Sequence, residues 1–132
     1  MKPPVAIVLA MLAAAGIVGL GTAQTPLGIT RTNLQREDLS APGREAIQVL
    51  VEFAPDASFP AHSHPGEELV FVTEGSLEYA IAGRPPVTLE AGDVLFIPAG
   101  AVHTVRNVGQ SKGTELATYI VEKGKPLLVL TE

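Results

Sequence analysis

The sequence predicts an all-β domain, a sandwich or barrel of short strands. Three observations carry this reading. From Ile47 onward the apolar residues fall in short runs or in alternation with polar ones. Turn clusters of Gly, Pro, Asp and Glu separate the runs at ~8–12-residue spacing. No segment after residue 23 sustains the 3.6-residue period of an amphipathic helix.

The elements follow in order. Ile47–Phe53 alternates, with Ile47, Val49, Val51 and Phe53 on one face and Gln48, Leu50 and Glu52 on the other. Pro55-Asp56 turns the chain into Ser58–His62. Leu69–Thr73 is strongly β-prone, and Glu74-Gly75 turns it into Leu77–Ala82. Gly83 to Pro86 precedes Val87–Leu89, and Glu90 to Asp93 precedes Val94–Ile97. Pro98-Ala99-Gly100 leads into Val102–Asn107, and the polar loop Gly109–Gly113 into Glu115–Val121. Lys123 to Pro126 turns into Leu127–Leu130, the last of nine strands. Residues 47–132 are thus the predicted barrel. Residues 24–46 read as an extended arm, interrupted by Pro26, Gly28, Pro42 and Gly43 and anchored by Leu34 and Leu39. A single helical turn is expected near Arg36–Leu39.

Residues 1–23 have a different composition. Lys2 is followed by the uncharged run Val5–Leu20 and the small residues Gly21-Thr22-Ala23. This pattern is that of a secretory signal peptide cleaved after Ala23, which implies a periplasmic or secreted protein with no stable membrane anchor. The alternative is an uncleaved N-terminal membrane anchor, because the 17 uncharged residues Val5–Gly21 approach the ~20 needed to span a bilayer. Their Ala and Gly content makes the run weakly hydrophobic, which favours cleavage.

Composition narrows the function classes. A chain of 132 residues, 46% hydrophobic, supports one domain with a real core. The net charge of −5 is spread along the chain, and no basic stripe marks a nucleic-acid partner. The absence of cysteine excludes disulfides, thiolate ligands and a Cys nucleophile.

All three histidines stand at metal-ligand spacing. His62 and His64 are two residues apart, so on a strand they share a face, and Glu68 follows four residues later. His103 comes from elsewhere in the chain, just past Pro98-Ala99-Gly100. Neutral imidazole and carboxylate together suit one divalent transition metal, with Fe, Mn, Ni, Cu, Co and Zn all compatible. Four ligands on an octahedral ion would leave two positions for water, oxygen or substrate. Each residue also has an ordinary reading: a surface His-x-His, a solvated Glu67-Glu68 pair, a turn histidine. Only their joint spacing favours the metal.

That spacing resembles the cupin superfamily, in its small single-domain bacterial form of the cupin 2 conserved-barrel type. The first motif of that family has a glycine, then His-x-His, Glu and Gly; Asp56, His62, His64, Glu68 and Gly75 stand at those intervals. The second has Gly, Pro-x-Gly, His and Asn; Gly92, Pro98, Gly100, His103 and Asn107 fill every position. The one departure is Asp56 in place of Gly, which is mild because Asp tolerates positive φ better than most residues. The resemblance covers roughly residues 47–121. It implies a double-stranded β-helix, that is, a double-sheet jelly-roll barrel, with His62, His64, Glu68 and His103 holding a metal in its mouth.

The resemblance also implies an enzyme acting on a small-molecule substrate, by dioxygenase-like oxygen chemistry or, nearly as well supported, by lyase or isomerase chemistry. The alternative is a non-catalytic periplasmic module that binds a metal or small ligand. Glu67 is a candidate either for a group supporting the ligands from behind or for an acid–base residue. Strand parity places Val70 and Val72 with Glu68, and Val105 with His103, so the pocket is expected to be mostly apolar. Gln48, Glu52, Tyr79, Thr118 and Tyr119 are the polar candidates for its wall. The relatives resembled are often homodimers, and residues 24–46 either cross such an interface or cover an edge of their own sheet.

Overall fold

Alternating apolar and polar residues and the turn clusters between them give ten strands and, among the described residues, no helix. The strands are β1 (Ile29–Asp38), β2 (Arg44–Phe53), β3 (Ser58–Ser63), β4 (Gly66–Glu74) and β5 (Ser76–Ile81). They continue as β6 (Val87–Glu90), β7 (Val94–Ile97), β8 (His103–Asn107), β9 (Gly113–Glu122) and β10 (Val129–Leu130). This computed structural model describes residues 24–132, so the expected leader and its cleavage point after Ala23 lie outside the described residues.

The strands form two five-stranded antiparallel sheets, β1-β2-β9-β4-β7 and β10-β3-β8-β5-β6. Their order is that of a jelly roll, as expected. Residues from both inner faces make one core, including Val49, Val51, Phe53, Val70, Val72, Leu77, Ile97, Val105 and Val121. Each such side chain, fully buried, contributes roughly 1.5–3 kcal/mol. In β2 the alternation is as the sequence indicates: Ile47, Val49, Val51 and Phe53 are buried.

Residues 24–46 depart from the expected arm. Ile29–Asp38 is a full strand, paired to β2 from Ile29↔Phe53 to Asp38↔Glu45, and no helical turn forms near Arg36–Leu39. The physical reason is that β1 is held by its backbone rather than by an apolar face. Only Ile29 along it is buried, so it carries no period-two signal. The barrel therefore begins at Ile29, not at residue 47. Of the two roles considered for this segment, the structure shows it covering an edge of its own sheet.

Two backbone positions matter for the site. Asp56 has φ +63°, so the residue that replaces the motif glycine does sit in the left-handed region. Gly66 opens β4 between His64 and Glu68, where β9 passes very close. A Cβ there would lie 2.0 Å from the Ile120 carbonyl oxygen and 2.7 Å from Val121 Cα. Both are backbone atoms, so a side chain would force the strands apart. Gly66→Ala is expected to cost roughly 1–3 kcal/mol in urea unfolding and to weaken any ligand held by the neighbouring residues. Unchanged stability would mean that β4 and β9 separate freely here.

Candidate metal centre

The two sheets bring His62, His64 and His103 to one point inside the barrel. Their ligand nitrogens all lie within 4.8 Å of one another, and all three side chains are buried. Such a triad can hold a metal ion. His62 lies on β3, which shifts register against β8 between Phe59 and His62. The irregularity falls at Pro60-Ala61, and it turns His62 to the same inner side as Phe59. Proline suits a bulge because it has no N–H to leave unpaired. His103 opens β8 directly opposite His62.

Each imidazole is oriented by a backbone carbonyl. His62 Nδ1 donates to Pro60 O at 2.7 Å, His64 Nδ1 to Leu127 O at 2.7 Å, and His103 Nδ1 to Ala101 O at 2.9 Å. A carbonyl oxygen only accepts, so in the neutral ring the proton sits on Nδ1 and Nε2 presents its lone pair. Glu68, inward on β4, sets Oε2 3.2 Å from His64 Nε2 and 3.1 Å from His103 Nε2. Both His64 Nε2 and Glu68 Oε2 are buried without a hydrogen-bond partner. Lone pairs this close repel unless a cation, a proton or a metal ion, stands between them. The donor set of three imidazoles and a carboxylate fits a divalent transition metal.

The ionisation of these groups suits that role. Burial, followed by His103 nearby, lowers His62 to about 4, so it is neutral near pH 7. Burial pushes the Glu68 carboxyl up, but a proton shared with the facing nitrogens of His103 and His64 outweighs it and holds Glu68 at about 2, as a carboxylate; a metal ion in that proton's place would act in the same direction.

The wall residues sort by strand parity. Tyr79 and Tyr119 face inward and are buried. Gln48, Thr118 and Glu52 lie on the outer side of their sheet. Gln48 Nε2 donates to Thr118 Oγ1 at 3.0 Å, and Lys112 Nζ to Glu52 Oε1 at 2.7 Å. Glu67 alternates with Glu68 along β4 and so faces away from the imidazoles, half-buried. That placement does not suit the acid–base role expected of it.

Two inner polar residues escaped the sequence reading. Glu115 on β9 is buried and accepts a hydrogen bond from the Tyr79 hydroxyl. Burial first, then the negative Glu68, push its carboxyl up to about 8. Glu115 shares parity with Tyr119 and was legible from it once that face was placed inward. Arg31 on β1 is half-buried, and its Nη2 donates to Tyr119 Oη at 3.4 Å. Asn107 is buried and structural. Its Nδ2 donates to carbonyls at Phe53, Ala54 and Ser111, which ties the end of β8 to the end of β2 and to the loop before β9.

This fold and site define a small β-barrel protein with a histidine-rich interior centre. The chain belongs to the cupin family, since residues 49–121 match the family model described as Cupin domain. Dimethylsulfoniopropionate lyase DddQ of Ruegeria pomeroyi is 42% identical over 48 residues, 36% of this chain and 24% of that protein. A probable germin-like protein, subfamily 2 member 5, of Arabidopsis thaliana is 30% identical over 112 residues, 79% of this chain and 52% of that one. Among solved structures, recombinant oxalate oxidase in complex with glycolate aligns with a TM-score of 0.65 at 27% identity, over 83% of this chain and 58% of that one. The chain thus spans less than two thirds of the length of each of these relatives.

Two outcomes test the site. His103→Ala is expected to keep the fold and to lose metal affinity by at least about 100-fold in a competition titration with a chelator. Binding equal to the parent's would remove His103 from the ligand set. The second outcome concerns pH. In chelator-treated protein, Glu115 ionises at about 8 when folded against an ordinary 4.5, so the unfolded chain releases its proton first and stability falls as pH rises between those values. His62 acts oppositely between about 4 and 6.5, which leaves the interval from 6.5 to 8 for Glu115. Denaturation midpoints should decline across that interval in the parent and stay level in Glu115→Gln; parallel curves would contradict the assignment.

Proposed function

We propose that the protein is a metal-dependent enzyme acting on a small organic molecule, with the ion held by His62, His64, His103 and Glu68. The observation that carries this is the convergence of buried lone pairs, with His64 Nε2 and Glu68 Oε2 left without a partner. Bound there, a metal supplies Lewis-acid or oxygen-activating chemistry beside a substrate. The chain's own groups supply the rest. The three carbonyl-anchored rings fix the ligand directions. The apolar neighbours Val70 and Val105 exclude water. Glu115, carrying its proton near neutral pH and bonded to Tyr79, is the acid–base candidate in place of Glu67.

The apolar surroundings favour oxygen chemistry slightly over a lyase or isomerase reaction. The similar proteins include both an oxalate oxidase and a dimethylsulfoniopropionate lyase, in keeping with either. A second reading, a module that binds a metal or small ligand without turnover, draws support from depth. The four proposed ligand residues are only 2–4% exposed.

Export and self-association are further proposals. The leader is removed after Ala23, and two copies pair. Because β1 is engaged in its own sheet, the pairing surface is assigned to Leu69, Phe71, Val94 and Phe96, exposed on the outer side of β4 and β7.

One preparation tests these together: untagged protein from the cell envelope, purified without chelator. Elemental analysis is expected to find about one transition-metal ion per chain. Oxygen uptake with a phenolic and diketone panel would support oxidase-type chemistry. Product formation without oxygen would support a lyase or isomerase, and bound metal with no turnover the binding module. No metal even after reconstitution would overturn the proposal. The same sample should begin at Gln24 and run as a dimer in light scattering; an intact Met1 in the membrane fraction, or a monomer, would refute those two points.

A further inference from the structure

The inner side of β1 carries a cation that the metal centre does not use. Arg31 stands opposite Val51 in the ladder, so its side chain enters the space between the sheets. The guanidinium carbon lies 6.0 Å from the ring centroids of both Phe59 and Tyr119. Those two rings lead directly to the metal centre: Phe59 packs on His62 at 4.7 Å and Tyr119 on His64 at 4.6 Å. The guanidinium is therefore one aromatic layer from two of the three imidazoles.

Arg31 is also underused. Its neighbour on the same strand, Arg36, pairs with Glu45 at 3.4 Å, whereas among the described residues Arg31 makes no ion pair. Its one side-chain hydrogen bond there is the 3.4 Å contact to Tyr119 Oη. A guanidinium presents five donors in a planar fork that matches a carboxylate, and partial burial strengthens such a bond. A pocket of about 240 Å³, not lined by Arg31 itself, opens two residues further along this strand, where Asn33 lines it together with Arg36, Ile47 and Leu127. Ile47 is the ladder neighbour of Tyr119, and Leu127 supplies the carbonyl that orients His64.

We propose that Arg31 anchors the carboxylate of a small organic acid, holding it at the seam beside β1 with its remainder toward the imidazole cluster. This deepens, and rests on, the reading of the centre as a metal enzyme. Arg31 acts here as a binding and specificity residue, and nothing in the proposal requires it to move a proton.

The test is calorimetric titration of acetate, malonate and benzoate, each against its amide, into the parent, Arg31→Gln and Arg31→Lys. It is run on both cobalt-loaded and chelator-treated protein. At least one acid is expected to bind the parent about tenfold more tightly than its amide, and about tenfold more tightly than it binds Arg31→Gln. Arg31→Lys should fall between, since it keeps the charge and loses the fork; it carries the comparison if the Gln variant does not fold. An acid that binds the parent and both variants equally, or a parent that does not distinguish acid from amide, overturns the anchor. Cobalt uptake by the parent is read separately. Its failure refutes the metal reading, while the acid–amide comparison in chelated protein still decides the role of Arg31.

Discussion

Three imidazole lone pairs and a carboxylate meet in the middle of an apolar barrel, and much of the local architecture manages that repulsion. The β3 irregularity at Pro60-Ala61 turns His62 inward. Three carbonyls fix the proton of each ring on its outer nitrogen. Gly66 lets β4 pack directly on the β9 backbone two residues before Glu68, whose carboxylate faces two rings. Removing a buried charge's partner leaves the full desolvation cost uncompensated, and a cation at the centre would offset that cost. A fold with an all-apolar interior would need none of these devices.

The interior is electrically uneven around that point. On β9 the carboxyl of Glu115 is held protonated by burial and by Glu68. On β1 a permanent cation, Arg31, lies behind Tyr119. One and the same strand face carries Glu115 and Tyr119, the latter packed on His64. Environment therefore gives two glutamates of one barrel opposite ionisation states, Glu68 charged and Glu115 neutral.

What the sequence made legible was whatever repeats with period two or stands at motif spacing. The later strands, from β2 to β9, are legible to within a few residues because apolar residues dominate their inner faces and turn clusters separate them. The three histidines and Glu68 were legible because the two motifs supply contacts that parity alone cannot. β1 was missed because its exposed side chains carry no apolar stripe and its pairing is made by backbone. Arg31 was hidden with it. Glu115 is obscured for a different reason: an acidic residue at a strand start normally faces water, and its parity with Tyr119 becomes informative only once the register against β2 and β4 turns that face inward. The inner or outer side of Gln48, Glu52 and Thr118 likewise required register.

The hydrogen bond from His64 to Leu127 reaches 63 residues along the chain and lands in the segment before β10. β10 in turn pairs with His62 and Ser63, and Thr131 N donates to Ala61 O at 2.9 Å. The C-terminal tail is thus a latch closed on the back of two histidines. Tail fraying, ordinarily the cheapest local opening of a domain, would here release the ring that points at the centre. An ion bound at the centre would therefore protect the last residues from proteases, and by reciprocity a closed tail would favour that ion.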